Sequence, residues 1–473
     1  MKKSPIFFIA LFSMVFETVH GQIQLPSFIS DGMVLQQQTS APLWGNDKPG
    51  TTVKLEGSWG ESASTKTNKE GKWSAKINTP AAGGPYTLII SGSETKTLND
   101  VMVGEVWLCS GQSNMQMEMK GLNNQPINSG NEEILYSANK NIRVFTGKRT
   151  PSTTPMDDIE GSWQSARPAT TKDFSAVAYF FGKSIHKVLD VPIGLIVTSW
   201  GGSTAEAWVD DHIIEKFEGL EVAREVPEKA VQQAPTLLYN GMVHPFLPYA
   251  IKGAIWYQGE SNSWRADEYQ ELFPALINDW RDHWGQGKFP FYFVQLAPWG
   301  YNSTNSAFLR EAQLFSMQNT ENTGMAVTMD IGDCENIHPP EKKKVGDRLA
   351  LWALAKTYNL EGFVYSGPVY KEMKKSEDGG IVLSFEHHGI GLTSFGKELT
   401  GFTIAGSDKV FVPANARINP DKTVTVWSEK VRAPEAVRYA FDNCTAGTLF
   451  NMAGLPASSF RTDTGKQEPV ENK

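Results

Sequence analysis

Cysteine is scarce in this sequence, with only Cys109, Cys334 and Cys444 among 473 residues. These three are widely spaced and odd in number, so the chain has no disulfide framework and no Cys-x-x-Cys metal motif, and at most one bridge can form. We expect three buried thiols that pack as small apolar side chains. A bridge between Cys109 and Cys334 is the alternative, because these two flank the polar motifs described below.

The sequence also lacks an apolar run long enough to span a membrane. The apolar run 6–16 is shorter than the roughly 20 residues that a membrane-spanning helix needs, and no later stretch is long and uncharged enough. Lys2 and Lys3 before this run and the small and polar residues 18–21 after it are typical of a secretory signal peptide. We therefore predict a protein that is exported to the periplasm or the extracellular space, begins near Gln22 and has no membrane anchor.

The net charge of the chain argues against some classes of binding partner. Lys and Arg number 44 and Asp and Glu number 52, which gives a formal net charge of −8. A mildly acidic chain is a poor match for nucleic acid or for an anionic membrane. We therefore expect a substrate that is not a nucleic acid, and we expect no binding to an anionic membrane.

The length of 473 residues exceeds the size at which single cores stop growing, so we expect several domains. Residues 22–99 alternate short β-prone runs with Gly, Pro and Asn turns, which predicts a small β-sandwich-like domain. Residues 100–363 alternate strands with helices, which predicts a parallel α/β sheet with helices on both faces. Residues 364–473 return to strand patterns and end in a polar tail, so we predict a C-terminal β region there. Residues 1–21 form the predicted signal peptide.

A candidate nucleophile lies directly after the predicted strand 103–109. Ser113 is in the segment Gly-Gln-Ser-Asn-Met, and the preceding glycine permits a tight turn. In parallel α/β sheets, ligands bind beyond the carboxyl ends of the strands, where this hydroxyl is expected. The position also fits an ordinary helix N-cap serine. A catalytic role therefore requires a base elsewhere in the chain.

Histidine is the natural base for a serine nucleophile, and the chain has eight. Six are disfavoured because they lie in the signal peptide, on polar helical segments or in the C-terminal β region: His20, His186, His212, His283, His387 and His388. His244 has no acidic neighbour and is interpreted as structural. His338 lies in a predicted loop between a strand and a helix, with Pro339 after it and carboxylates within five residues that can orient the imidazole. We predict His338 as the base.

Acyl transfer also needs donors for the negative charge that develops on the carbonyl oxygen. Gly201 and Gly202 follow the predicted strand 193–198 and offer backbone N–H groups. Gln258 follows the predicted strand 251–257 and offers a side-chain amide. Each motif alone is weak evidence. Four polar motifs after four successive strands, in the order nucleophile, glycine donor, amide donor and base, indicate an esterase-type site.

These four blocks resemble those of the SGNH hydrolases, and within that superfamily the chain resembles the sialate O-acetylesterases. The similarity covers nearly all of the chain after residue 21, and the matching segments are 107–115, 199–202, 206–208, 238–242, 255–262, 330–339, 454–458 and 460–463. The resemblance implies a flavodoxin-like SGNH-hydrolase fold that removes O-acetyl groups from sialic acids. It also implies that neither a metal nor an organic cofactor takes part.

The resemblance assigns the oxyanion hole to three sources. Ser113 contributes its own N–H group, and Gly201 or Gly202 contributes a second. Gln258 is the third predicted donor, although the wider superfamily usually has Gly-x-Asn where this chain has Gln-Gly-Glu.

The sequence leaves four alternatives for the acid that orients His338. In the wider superfamily an Asp often precedes the His by three residues, where this chain has Glu335. Asp333 matches the narrower family, and Glu260 matches some related xylan acetylesterases. A dyad of Ser113 and His338 without an acid is the fourth alternative.

A sugar site is expected to carry aromatic rings, because flat apolar sugar faces stack on them. The predicted substrate contacts are Asn240, Trp200, Tyr257 and Trp299, while Trp208 and Trp264 also lie near the motifs. The alternatives are an esterase for acetylated xylan or another plant glycan, and a secreted carbohydrate-binding protein without catalytic activity.

Overall fold

The computed structural model describes residues 22–302 and 304–465. The predicted signal peptide at residues 1–21 and most of the predicted polar tail lie outside the described residues. Within the described ranges, no helix combines the length and the apolar character needed to cross a bilayer.

The N-terminal part is built from β-strands only. Its strands are β1 (Val34–Gln36), β2 (Ser40–Asn46), β3 (Thr52–Gly57), β4 (Ser62–Lys66), β5 (Lys72–Asn78), β6 (Gly83–Ser91) and β7 (Thr95–Gly111). Strand β5 alternates exposed and buried residues, so that Trp73, Ala75 and Ile77 point into the core. This period of two is the pattern of a sheet with one face against the core and one face in solvent.

The α/β part combines strands and helices in alternation. Its strands are β8 (Asn139–Thr146), β9 (Trp163–Ala166), β10 (Ile193–Ser199), β11 (Gly253–Tyr257), β12 (Phe291–Val294) and β13 (Thr323–Ala326). Its helices are α1 (Ser113–Gln116), α2 (Gly130–Leu135), α3 (Pro168–Thr171), α4 (Ala176–Leu189), α5 (Asp211–Ile214), α6 (Ala266–Trp284), α7 (Ala307–Asn319) and α8 (Lys342–Trp352). Two π-helical segments, Tyr239–Val243 and Ala353–Thr357, and several short 3₁₀ turns complete it.

The central sheet has the strand order β13-β12-β11-β7-β10-β8-β9. All neighbours are parallel except β9, which pairs antiparallel with β8. Side chains on successive positions of β7 enter different cores, since Val106 and Leu108 pack on one face and Trp107 and Cys109 on the other. Helices α6 and α7 cover the first face, and α4 and α8 cover the second. The predicted parallel sheet between two helical layers is confirmed.

Strand β7 connects the two parts of the molecule through 17 residues. Its first half pairs with β6 and with β1, and its second half pairs with β10 and β11 at the centre of the α/β sheet. The boundary that we predict between residues 99 and 100 therefore lies inside a continuous strand. The strand that leads to Ser113 is fixed by hydrogen bonds in both parts.

The C-terminal region consists of short antiparallel strands. They are β14 (Val369–Lys375), β15 (Ile381–Glu386), β16 (Leu392–Thr393), β17 (Phe402–Ala405), β18 (Val412–Pro413), β19 (Asn415–Ile418), β20 (Val424–Trp427), β21 (Ala436–Tyr439), β22 (Phe450–Asn451) and β23 (Phe460–Arg461). The sheet orders are β14-β15-β20-β19, β16-β22 and β18-β17-β21-β23.

A buried arginine attaches this region to the α/β part. Arg310 on α7 donates hydrogen bonds to the Ser459 hydroxyl at 3.0 Å and to the carbonyl oxygens of Ala440 and Asp442. Burial lowers the pKa of the Arg310 guanidinium to about 10. Because a buried charge is costly unless its donors are paired, these carbonyl contacts hold the C-terminal region against α7.

The cysteines correct our expectation of three free thiols. Cys334 and Cys444 are disulfide-bonded across 110 residues of sequence, with 5.3 Å between their Cα atoms. Cys109 is a free, buried thiol. The alternative bridge between Cys109 and Cys334 is also wrong, because Cys109 packs in the apolar face of β7 while Cys334 lies in the loop before His338 and meets the C-terminal region.

We predict that replacing both Cys334 and Cys444 with Ser lowers the free energy of unfolding by about 2 to 5 kcal/mol, because the unfolded chain loses a long covalent loop. Denaturant unfolding, followed by circular dichroism, measures this difference. The Cys109→Ala variant is the control, and its intact mass should still lack two hydrogens relative to the reduced chain. Equal stability of the double variant and the parent would contradict the prediction.

Candidate active site

The four predicted polar motifs meet at the carboxyl edge of the central sheet. Each follows a parallel strand: Ser113 after β7, Gly201 and Gly202 after β10, Gln258 and Glu260 after β11, and His338 in the loop after β13. Strands β12 and β11 separate β13 from β7. The loop that carries His338 therefore has to return across the sheet edge to meet the serine.

Ser113 is the first residue of α1 and is partly exposed, while the residues on either side of it are buried. Gly111 before it has φ +138°, and a Cβ atom there would lie 2.2 Å from the carbonyl oxygen of Tyr257. Only glycine permits this close approach between β7 and β11. Among the hydrogen bonds of the described residues, none uses the N–H group of Ser113, so this donor is free.

Asn114 links the loops around the serine. Its Nδ2 donates to Glu260 Oε1 at 2.6 Å and to the carbonyl oxygen of Ile337 at 3.1 Å, and its Oδ1 accepts from Lys342 Nζ. One buried side chain thus connects the serine motif, the β11 loop, the residue before His338 and the start of α8. The sequence motif contains Asn114, but its pattern gave no reason to assign it this role.

His338 lies next to this network with both ring nitrogens buried. Neither Nδ1 nor Nε2 has a hydrogen-bond partner in the part of the chain that the structure describes. Burial, together with the positive charge on Lys342, lowers the pKa of His338 to about 4. The imidazole is therefore neutral at pH 7 and can accept a proton.

The three candidate acids lie in different environments. Asp333 and Glu335 are exposed, and Asp333 Oδ1 accepts a hydrogen bond from the backbone N–H of Glu335, which stabilises the turn before His338. Glu260 as a whole is half-buried, but its carboxylate Oε2 is out of contact with solvent and has no hydrogen-bond partner in the described ranges. Burial raises the pKa of Glu260, while the hydrogen bond from Asn114 and the charge on Lys342 oppose this shift.

Lys342 is a buried cation that our sequence analysis missed, because a lysine at the start of a helix normally faces solvent. Its Nζ lies 5.6 Å from the centre of the Tyr257 ring and donates to Asn114. Burial lowers the pKa of Lys342 to about 7, although the negative charge on Glu260 acts in the opposite direction. The site thus contains a carboxyl group, a buried amine that is protonated below about pH 7, and a neutral imidazole.

The predicted glycine donors occupy a turn beside the serine. A Cβ atom on Gly201 would lie 3.3 Å from the Cβ of Ser113, so the two backbones are in contact. The N–H of Gly201 donates to Gln116 Oε1 at 2.8 Å. Gly202 has φ +76°, a conformation that favours glycine, and the turn closes through the hydrogen bond from Ser203 N–H to the Trp200 carbonyl oxygen.

The Gln258 amide is engaged in holding loops together. Its Nε2 donates to the Ser203 carbonyl oxygen at 3.1 Å and to Asn262 Oδ1 at 2.7 Å, and its Oε1 accepts from the Tyr269 hydroxyl. Asn262 in turn accepts from Ala205 N–H. A role for Gln258 as oxyanion donor stays a prediction that requires one of these bonds to break.

The predicted substrate contacts differ in accessibility. Trp200 and Trp299 are half-buried, and Trp299 packs edge-on against Tyr301 at 4.5 Å between ring centres. Tyr257 is buried beneath Lys342, and Asn240 is buried and donates to the carbonyl oxygen of Ser152 at 3.3 Å. Of these four, the two tryptophans have rings that solvent reaches.

The other two nearby tryptophans have opposite surroundings. Trp208 is fully buried against Trp256, and Trp264 is 63% exposed with the Arg265 guanidinium 4.6 Å from its ring.

Residues 103–355 match the family model described as carbohydrate esterase, sialic acid-specific acetylesterase. The chain belongs to this family of carbohydrate esterases. It is 31% identical over 397 residues to the human (Homo sapiens) sialate O-acetylesterase, covering 75% of each chain. It is 32% identical over 423 residues to the mouse (Mus musculus) sialate O-acetylesterase, covering 75% of this chain and 77% of the mouse protein.

A solved structure agrees with this assignment. A carbohydrate acetylesterase from Xanthomonas citri superposes with a TM-score of 0.86 at 37% sequence identity, covering 94% of this chain and all of the other. The predicted fold, the predicted family and the predicted enzyme class, a hydrolase of carboxylic esters on carbohydrates, are confirmed.

The charge on Lys342 leads to a prediction for the pH profile of the esterase. A cation beside an imidazole disfavours the imidazolium, so Lys342→Met should raise the pKa of His338 from about 4. The acidic limb of kcat/KM against pH, which reports the free enzyme, should then move to higher pH. Hydrolysis of a chromogenic acetate ester across the acidic range measures this shift.

Lys343→Met is the matched control, because Lys343 is half-exposed and pairs with Asp347 on the surface of the same helix. It should leave the acidic limb in place. Circular dichroism at each pH separates titration from unfolding. An acidic limb that stays in place, or moves to lower pH, in folded Lys342→Met would contradict the assignment.

Proposed function

We propose that this esterase removes O-acetyl groups from sialic acids by acyl transfer through Ser113 and His338. The observation that carries the proposal is the Asn114 side chain, which connects the segment of Ser113 with the segment of His338 and with the buried Glu260. The sialic-acid substrate is supported by the sialate O-acetylesterases of human and mouse, to which the chain is 31% and 32% identical.

In the proposed mechanism, neutral His338 removes the proton from Ser113 Oγ, and this oxygen bonds to the acetyl carbonyl carbon. The negative charge on the carbonyl oxygen is stabilised by the free N–H of Ser113 and by a glycine N–H, either from Gly202 or from Gly201 once its hydrogen bond to Gln116 Oε1 opens. The bond to the sugar oxygen then breaks, and this oxygen takes the proton from His338. Water, activated in the same way, hydrolyses the acetyl-serine and releases acetate.

We assign the role of the acid to Glu260. Its Oε2 has no hydrogen-bond partner in the described ranges, and Asn114 Nδ2 joins its Oε1 to the carbonyl oxygen of Ile337, the residue before His338. When His338 becomes an imidazolium, a buried carboxylate nearby stabilises it far more than an exposed one does. Asp333 and Glu335 are exposed, and Asp333 is already engaged in its turn.

We propose further that the protein is exported through the N-terminal signal peptide and acts in the periplasm or outside the cell. The bridge between Cys334 and Cys444 supports this location, because disulfides form and persist mainly in oxidising compartments. The mechanism needs neither a metal nor an organic cofactor.

The central prediction is that Ser113→Ala lowers kcat for a chromogenic acetate ester by about 10⁴-fold or more, because the nucleophile is removed. Circular dichroism should show an unchanged fold. Ser376→Ala, at a partly exposed position beside a turn of the C-terminal region, is the control and should match the parent. Near-parental turnover in Ser113→Ala would refute the proposed mechanism.

The substrate is tested by acetate release from O-acetylated sialic acids on mucin and from acetylated xylan. We expect the higher kcat/KM on the sialic acids. Faster release from xylan would refute the substrate while leaving the mechanism intact.

A separate prediction concerns the acid. Glu260→Gln should lower kcat by about 10²-fold or more, whereas Asp333→Asn and Glu335→Gln should stay within about twofold of the parent. The three variants remove one charge each and keep the side-chain size, so they are matched controls for one another. A large loss in Asp333→Asn or Glu335→Gln alone would transfer the role to that residue. Three parental rates would support the dyad.

A further inference from the structure

Two histidines that the sequence places on polar helical segments come together with two aspartates. Asp210 precedes α5 and caps its N-terminus, and His212 lies in the first turn of α5. Asp279 and His283 are one turn apart on α6 and face the same side. Ligand atoms of Asp210, His212 and His283 all lie within 4.8 Å of one another.

The fourth residue, Asp279, lies at the base of this cluster. Its side chain is fully buried, whereas those of His212 and His283 are 48% and 34% exposed. Asp279 Oδ2 accepts the backbone N–H of Asp210 at 3.0 Å, but Oδ1 has no hydrogen-bond partner in the described part of the chain. A buried carboxylate oxygen needs a positive partner, and the two imidazoles that face Oδ1 can supply one either by protonation or by sharing a cation with it.

The distances favour a shared ligand over direct hydrogen bonds. Asp279 Oδ1 is 3.3 Å from His283 Nε2 and 3.6 Å from His212 Nε2, and Asp210 Oδ2 is 3.8 Å from His283 Nε2. Charge-assisted hydrogen bonds are shorter, about 2.7 to 2.9 Å. A tetrahedral ion with bonds of about 2.0 to 2.1 Å separates its ligand atoms by about 3.3 to 3.4 Å.

The remaining nitrogen of His212 is already oriented. His212 Nδ1 and Asp210 Oδ1 are 2.7 Å apart, which is a hydrogen bond when Nδ1 carries the proton. His212 Nε2 then has a free lone pair that faces Asp279. A carboxylate that fixes the far nitrogen of a histidine is the usual surrounding of a histidine that binds a metal.

We propose that His212, Asp279 and His283 form a binding site for a divalent transition-metal ion, with Zn²⁺ as the ion whose geometry fits, and that Asp210 orients His212 through its Nδ1. Imidazole nitrogens and carboxylate oxygens are the donors that such ions prefer. The half-exposed histidines leave the site open for the ion to enter. The bound ion joins α5 to α6, and it involves none of the residues assigned to ester hydrolysis.

The experiment uses the full chain after treatment with a chelator and removal of the chelator. Titration with Zn²⁺ in a calorimeter should show one equivalent bound, and Zn²⁺ should raise the midpoint of thermal unfolding because it binds only the folded site. His212→Ala and His283→Ala should each lower the affinity by about tenfold or more and remove the thermal shift. Asp279→Asn should do the same.

Two control variants match these changes outside the cluster. Asp267→Asn changes an exposed acid at the start of the same helix, and His388→Ala changes a histidine in the C-terminal region. Both should bind Zn²⁺ as the parent does. Failure of the parent to bind Zn²⁺ would overturn the proposal, and so would binding that His212→Ala and His283→Ala leave unchanged. Circular dichroism checks that both variants are folded.

Discussion

The candidate active site depends on the burial of opposite charges around one neutral side chain. Glu260 and Lys342 are both removed from solvent, and Asn114 contacts the two of them through its amide oxygen and nitrogen. Removing an ion from water costs several kcal/mol, so neither charge is stable there without the other and without hydrogen bonds. Because the two residues come from the β11 loop and from α8, their pairing through Asn114 fixes where these segments lie relative to the serine.

The C-terminal region braces the loop that brings His338 back across the sheet edge. Cys444 is bonded to Cys334, four residues before His338, and the adjacent Asn443 donates to the carbonyl oxygen of Tyr301 and accepts from Trp299 N–H. Gly300 N–H donates to the Cys334 carbonyl oxygen, so the β12 loop and the histidine loop are also joined directly. The C-terminal β region thus restricts the β12 loop and the loop that carries His338. The composition of the sequence did not reveal this role.

The sequence predicted those features that depend on local pattern. Strand and helix alternation defined the parallel sheet, and the ends of its strands located Ser113, Gly201 and Gln258. What it missed depends on contacts between distant segments. Lys342 was overlooked because a helix-start lysine usually faces solvent, and the partner of Cys334 lies 110 residues away.

The sequence was also unable to show which of the residues it contains lie close together in space. The sequence places His212 and His283 only on polar helical segments, since nothing local shows that their side chains meet around Asp279. The acid stayed open because spacing from His338 in the chain favoured Glu335 and Asp333, whereas burial favours Glu260.

The low pKa of His338 determines how the buried charges act during catalysis. A base with a pKa of about 4 is fully available at neutral pH, but it is intrinsically weak, and Lys342 opposes the imidazolium that must form. The transition state therefore needs a compensating negative charge in the same low-dielectric region. In the proposed mechanism Glu260 supplies this charge, and its attraction for the new imidazolium is strongest when the proton leaves Ser113. If these roles hold, the histidine is neutral in the resting enzyme, and the electrostatic stabilisation appears only in the charged state, which is the condition for differential binding of a transition state.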